Sequence, residues 1–247
     1  MKTEQAKQNP ILDKLVKDLQ DALGDRLRCV ALYGSAARGD FRKATSDLNV
    51  LLVLADVEPA TLDAAAPALA RWSRLGQPLP RLLSPDLMAD SADVFPIEFL
   101  DIKTHGVILK GEDPFATIVI RQEHLRLQCE RELREKMMRL REGYLQARMK
   151  PKALTKLLSD SYSTFVALFR GCLHLMQREA PALNDQVVTA FCATADLDRS
   201  PFLQVERIKR GEKDPDPRAL FVRYYAELSK AVGRIDRFEP PPGGASS

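Results

Sequence analysis

From position 10 to 24 the apolar residues Ile11, Leu12, Leu15, Val16, Leu19 and Leu23 fall at helical spacing, and Gly24 ends the pattern. An amphipathic opening helix is predicted there. The period then changes. Arg28 to Tyr33 and Leu48 to Leu54 are nearly continuous apolar runs, the signature of strands covered on both faces, and a polar connection, Ser35 to Ser46, joins them. Residues 60 to 74 are Ala-rich, with Leu62, Leu69 and Trp72, and predict a second helix. Arg81 to Ser84 reads as a short strand and Ser84-Pro85-Asp86 as a helix start. Phe95 to Ile102 reads as a third strand, and Val107 to Leu109 as an edge strand before the turn chemistry of Gly111-Glu112-Asp113-Pro114.

Beyond Arg121 the strand signals stop. Segments 121 to 148 and 152 to 177 are long and helical, with Pro151 interrupting one and opening the next. Weaker helical patterns cover 183 to 195 and 217 to 234, separated by a loop rich in Pro, Asp and Lys. The end, Pro-Pro-Pro-Gly-Gly-Ala-Ser-Ser, is expected to be disordered. The pattern implies a mixed α/β (α+β) domain over 1–118, an all-α helical bundle over 119–238 and a tail over 239–247.

Composition adds mainly exclusions. The chain has 247 residues, 45% apolar, enough for one large core or two modest ones. Its net charge of +3, from 37 basic and 34 acidic side chains, is too even to imply a nucleic-acid partner. Cys29, Cys129, Cys172 and Cys192 are far apart and form no C-x-x-C pair, so they read as core thiols rather than a zinc site or disulfide framework. No apolar run approaches the about eighteen residues that a membrane span needs. A soluble cytoplasmic protein is expected.

The chemistry concentrates between the two confident strands. Leu32-Tyr33-Gly34-Ser35-Ala36-Ala37-Arg38-Gly39 is followed by Ser46-Asp47-Leu48-Asn49-Val50. A small Gly-Ser pair after a buried strand lets backbone amides and a hydroxyl approach a phosphate, and Arg38 is placed to steady the same anion. Residues two apart in a strand project to one side, so Asp47 and Asn49 project together. This arrangement resembles the signature of the nucleotidyltransferase superfamily, in which a Gly-Ser turn precedes an Asp-x-Asp strand. The resemblance implies a polymerase-β-like domain followed by helices. The implied reaction is transfer of a nucleoside monophosphate from ATP or another nucleoside triphosphate to a hydroxyl acceptor, with Mg²⁺ as cofactor. Gly34, Ser35, Arg38 and Ser46 would then bind nucleotide, while Asp47, Asn49 and Glu98 would hold the metal.

The sequence departs from that signature at Asn49, where an uncharged amide stands in place of the second acid. Mg²⁺ binds chiefly through carboxylates and phosphates, so the departure weakens any metal site. Asn49 is open to three readings: metal ligand, hydrogen-bonding remnant of a site that binds without reacting, or satisfied buried amide. In the resembling family a third acid lies on a later strand. Glu98 is the candidate, as a carboxylate in an apolar strand, with Asp101 as runner-up; on a strand the two would face opposite sides. Asp101 is otherwise expected to pair with Lys103 or solvent.

Three readings of function follow: a transferase with Asp47 and Glu98 catalytic, a catalytically impaired nucleotide-binding or regulatory protein, or a toxin–antitoxin component. The acceptor, whether small molecule, protein or RNA, has no motif. Arg-Glu pairs four apart, such as Glu130 with Arg134 and Glu135 with Arg139, predict an exposed salt-bridged helix face rather than an RNA surface. Tyr162, Phe165, Leu168, Phe169, Leu173 and Met176 read as a core or a seam between two copies in a homodimer. Arg170 and His174 echo an RNA-cleaving pair at a spacing one residue short. His105 follows the third strand and lies near the candidate site in sequence, without partner ligands to mark it.

Overall fold

The computed structural model describes residues 9–39, 47–147 and 150–239, and the backbone of 245–246. The chain divides into two compact units, Met1–Ile120 and Arg121–Ser247.

The first unit opens with α1 (Pro10–Leu23). Its start is fixed by Asn9, whose side chain accepts from the Ile11 amide, and by Pro10 in the first turn. Gly24, at φ 55°, ends it. Then follow β1 (Leu27–Tyr33), a single turn of helix α2 (Ser35–Arg38), β2 (Asn49–Leu54), α3 (Pro59–Arg74), β3 (Arg81–Leu83), α4 (Pro85–Asp90), α5 (Pro96–His105) and β4 (Val107–Gly111). The sheet order is β3-β2-β1-β4, with β1 antiparallel to both β2 and β4 and β2 parallel to β3. The mixed sheet expected from the sequence is therefore present.

Strand alternation sorts the side chains into two sets. Val30, Leu32, Val50, Leu52 and Leu54 pack with Leu12, Leu15, Leu19 and Leu23 of α1 and Ala65, Ala68 and Trp72 of α3. Each fully buried aliphatic side chain there contributes about 1.5–3 kcal/mol. Trp72 adds its ring, and its indole N–H donates to the Pro78 carbonyl at 2.7 Å. Cys29, Ala31, Leu51 and Val53 face the other way and are also buried, with α5 packed against β1.

One expected strand is a helix. Phe95 to Ile102 lies in α5, where Pro96, Phe99, Leu100 and Ile102 are buried and the Phe99 amide bonds the Phe95 carbonyl at 3.0 Å. Pro96 explains the outcome: it lacks the amide that an inner strand must donate, but it suits the first turn of a helix. Buried positions 96, 99 and 100 follow helical spacing, which a short apolar run conceals.

In the second unit α6 (Gln122–Ala147), α7 (Pro151–Leu175), α8 (Asn184–Ala195), α9 (Ser200–Lys209) and α10 (Pro217–Asp236) supply the core. Helix α9 occupies the stretch expected to be a loop. Phe165, Phe169, Phe191, Phe202 and Tyr224 are buried, with Phe169 stacked on Phe191 at 4.1 Å and Phe202 edge-on to it at 5.5 Å. Tyr162, Leu168 and Leu173 are buried in the same unit. The tail from 239 onward lies almost wholly outside the described residues. Among the described residues no helix is long and apolar enough to cross a membrane.

Candidate functional site

Strand β1 runs out at Tyr33 and the chain turns at Gly34. Its backbone, φ 76° and ψ −153°, is open essentially to glycine alone. Across the strand pair Tyr33 faces Asn49, the first residue of β2. A Cβ on Gly34 would sit 3.0 Å from the Asn49 Nδ2. Glycine is thus required twice, by its dihedrals and by the amide packed beside it.

Leu48 is buried with Val50, Leu52 and Leu54, so the alternation of β2 continues one residue beyond the strand. Asp47 and Asn49 accordingly share the opposite side, Asp47 exposed and Asn49 half-buried. The Leu48 amide donates to the Gln77 side chain at 2.9 Å, holding this end of β2 to the segment before β3. Ser46 lies outside the described residues.

Arg38, expected to steady a phosphate, is held by Asp101 instead. Its Nη1 donates to both carboxylate oxygens at 2.7 Å, and the two side chains are only 11% and 21% exposed. The expectation that Asp101 pairs with Lys103 or solvent is corrected here: Lys103 bonds the Ile118 carbonyl at 3.2 Å. His105 lies one helical turn from Asp101, Nδ1 to carboxylate 3.6 Å.

Because α5 is a helix, Glu98 and Asp101 lie three residues apart on one side, not on opposite faces of a strand. Both act on Tyr33. Burial raises the Tyr33 phenol pKa most, a hydrogen bond and the charge of Arg81 oppose that rise, and the charges of Glu98 and Asp101 add to it. Arg81 and Tyr33 were not singled out by the sequence. β3 was legible as a short strand, but its place beside β2 was not, and only that parallel register, Leu51 with Arg81, brings Arg81 here.

The site therefore gathers Tyr33, Gly34, Asn49 and Arg81 around the end of β1, with Asp47 exposed just before β2 and Arg38, Glu98, Asp101 and His105 from α2 and α5. Its donor set does not suit a resident divalent metal. The start of β2 and the residue two before it offer one amide and one carboxylate, and β3 brings a guanidinium. Among the described residues no three His, Cys, Asp or Glu side chains gather into a cluster that could hold a metal ion by itself. A cavity of about 950 Å³ lies elsewhere in this unit, lined by Leu27, Cys29, Val53, Met88 and Gly111, and contains none of the site residues.

In the second unit Arg170 is buried and donates to the Ala182 carbonyl at 2.7 Å and the Asn184 side chain at 3.1 Å. That is a structural role, fixing the start of α8. Glu130 pairs with Arg134 at 3.1 Å and Glu135 pairs with Arg139, as the i,i+4 pattern predicted.

The chain is similar in structure to the spectinomycin adenyltransferase AAD(9) from Enterococcus faecialis, solved as a crystal structure with ATP and spectinomycin. The TM-score is 0.59 at 13% identity, over 92% of this chain and 98% of that one. No protein-family model and no curated protein matches the sequence. At that identity the likeness establishes the fold, and it extends across both units.

Proposed function

We propose that this chain, which has the nucleotidyltransferase fold, binds a nucleoside triphosphate at the Gly34–Ser35 turn in a site impaired for nucleotidyl transfer. Asn49 carries the reading. An amide packed against the Gly34 backbone occupies the position where the resembling strand motif has its second acid. Gly34 and Ser35 would receive the phosphates, Asp47 would mark the exposed rim, and Asn49 would donate to an oxygen rather than hold a cation.

A second reading is supported by the ATP and spectinomycin bound in the structurally similar adenyltransferase. On that reading a nucleoside monophosphate passes to a hydroxyl of a small molecule, protein or RNA, with Mg²⁺ as cofactor and Asp47 and Glu98 as the remaining acids. Fold alone does not choose between them. The residues do favour the first, because Glu98 stands on a helix beside Tyr33 and β3 brings a cation.

Calorimetry with each of the four ribonucleoside triphosphates tests the binding, and pyrophosphate release with a panel of hydroxyl acceptors tests the transfer. Saturable binding without pyrophosphate release is expected. Release above the enzyme-free blank would overturn the impaired reading in favour of the second, and absence of any binding would remove both.

A further inference from the structure

Resting on the nucleotide-site reading, we infer that triphosphate binding at this site does not depend on a divalent metal, and that the Arg81 guanidinium supplies the positive charge a metal would otherwise bring. In β2 the side chains of Val50, Leu52 and Leu54 belong to the core under α1 and α3, so Asn49, Leu51 and Val53 project from the other face. Leu82 packs with that same core, which leaves its neighbours Arg81 and Leu83 on the face of Asn49. Tyr33 faces Asn49 from β1, and Arg81 lies beside Leu51 from β3. Three adjacent strands thus place a phenol, an amide and a guanidinium on one face at one end of the sheet.

Two carboxylates at such a place would repel a triphosphate unless a divalent cation lay between them. Here Asn49 removes one negative charge and Arg81 adds a positive one. The two cations of the site also differ in availability. Arg38 is largely buried and bound to Asp101 through both carboxylate oxygens. Arg81 is exposed and lies against the Tyr33 phenol, on which the charges of Glu98 and Asp101 also act. Turning from a phenol to a phosphate exchanges a neutral acceptor for a charged one, and the planar guanidinium fork matches two phosphate oxygens. Arg38 would have to break an ion pair to do the same.

Calorimetry of the full chain with ATP, once in excess EDTA and once in Mg²⁺, reads this directly. Binding in EDTA at least as tight as in Mg²⁺ is expected. Arg81→Ala should weaken EDTA binding by about tenfold or more, the worth of one charge-assisted contact, and Arg81→Lys should lose less because it keeps the charge. Circular dichroism shows that each variant is folded. Binding that requires Mg²⁺, or folded Arg81→Ala that binds like wild type in EDTA, would overturn the inference and leave the nucleotide site standing. If none of the four ribonucleoside triphosphates binds in either buffer, the nucleotide-site reading itself fails, and this inference with it.

Discussion

The Arg38–Asp101 pair ties the turn after β1 to α5, and a double-mutant cycle on it measures what that tie contributes. Asp101→Leu leaves the guanidinium without its two 2.7 Å acceptors, and among the described residues the buried Arg38 Nε has no hydrogen-bond partner. Breaking a fully buried pair costs about 3–5 kcal/mol, whereas an exposed pair contributes about 0–1. With the side chains 11% and 21% exposed, Asp101→Leu should cost about 3 kcal/mol. Arg38→Met should cost less, about 2 kcal/mol, because His105 stays beside the carboxylate at 3.6 Å. The double variant removes both charges and should lose about 1 kcal/mol, far less than the singles added together. Trp72 is the chain's one tryptophan and is buried in the first unit, so its fluorescence in urea follows that unit's unfolding. At about 2 kcal/mol per molar urea, Asp101→Leu moves the midpoint down by roughly 1.5 M. Additive losses in the cycle, or singles costing under about 0.5 kcal/mol, would refute the reasoning.

Gly34→Ala must adopt a backbone open essentially to glycine and push aside the Asn49 amide; a loss of about 2 kcal/mol by Trp72 fluorescence, with loss of triphosphate binding by calorimetry, is expected. Asn49→Asp restores the second carboxylate of the strand motif but sets it on the face that Arg81 shares, so it should not by itself yield pyrophosphate release, and release by that single variant would show that Arg81 is no obstacle. Phe169→Ala empties the space between Phe191 and Phe202 and should cost the second unit about 3–5 kcal/mol, read as a lowered transition by circular dichroism. Burial pushes the thiols of Cys29 and Cys192 from 9.0 up to about 12. The folded state therefore holds protons that the unfolded chain gives up. The stability they contribute is full below pH 9.0 and declines as pH rises toward about 12, and both thiols should resist Ellman's reagent until the protein unfolds.

Local pattern made much of this molecule legible, and what it left out differs from element to element. The opening helix, β1, β2, the Ala-rich helix and the two long helices are each specified by their own periodicity and caps. Phe95 to Ile102 is an apolar run too short for periodicity to decide, and Pro96, the residue that settles it, sits among hydrophobic neighbours that suit a strand equally well. Helix α9 carries a usable signal, Ser200-Pro201 followed by buried Phe202, Val205 and Ile208, but it is short and lies among charged and Pro-rich neighbours. Within the site, Gly34 and Asn49 meet because β1 and β2 are consecutive in sequence and antiparallel. Arg81 joins them only because β3 adds in parallel beyond β2, a long-range choice that no window of sequence contains.

That difference bears on function. A reading confined to the motif sees one acid replaced by an amide and expects a weakened metal site, which a carboxylate at Asn49 would repair. The sheet adds a cation from the next strand on the same face, and so offsets a negative charge as well as removing one. Loss of one acid leaves a site that still needs a divalent ion to accept a triphosphate, only with poorer affinity for it. Loss of an acid together with gain of a guanidinium leaves a site for which the ion is no longer the bridge. The EDTA experiment separates these two cases in a way that activity assays cannot, because both predict a chain without pyrophosphate release.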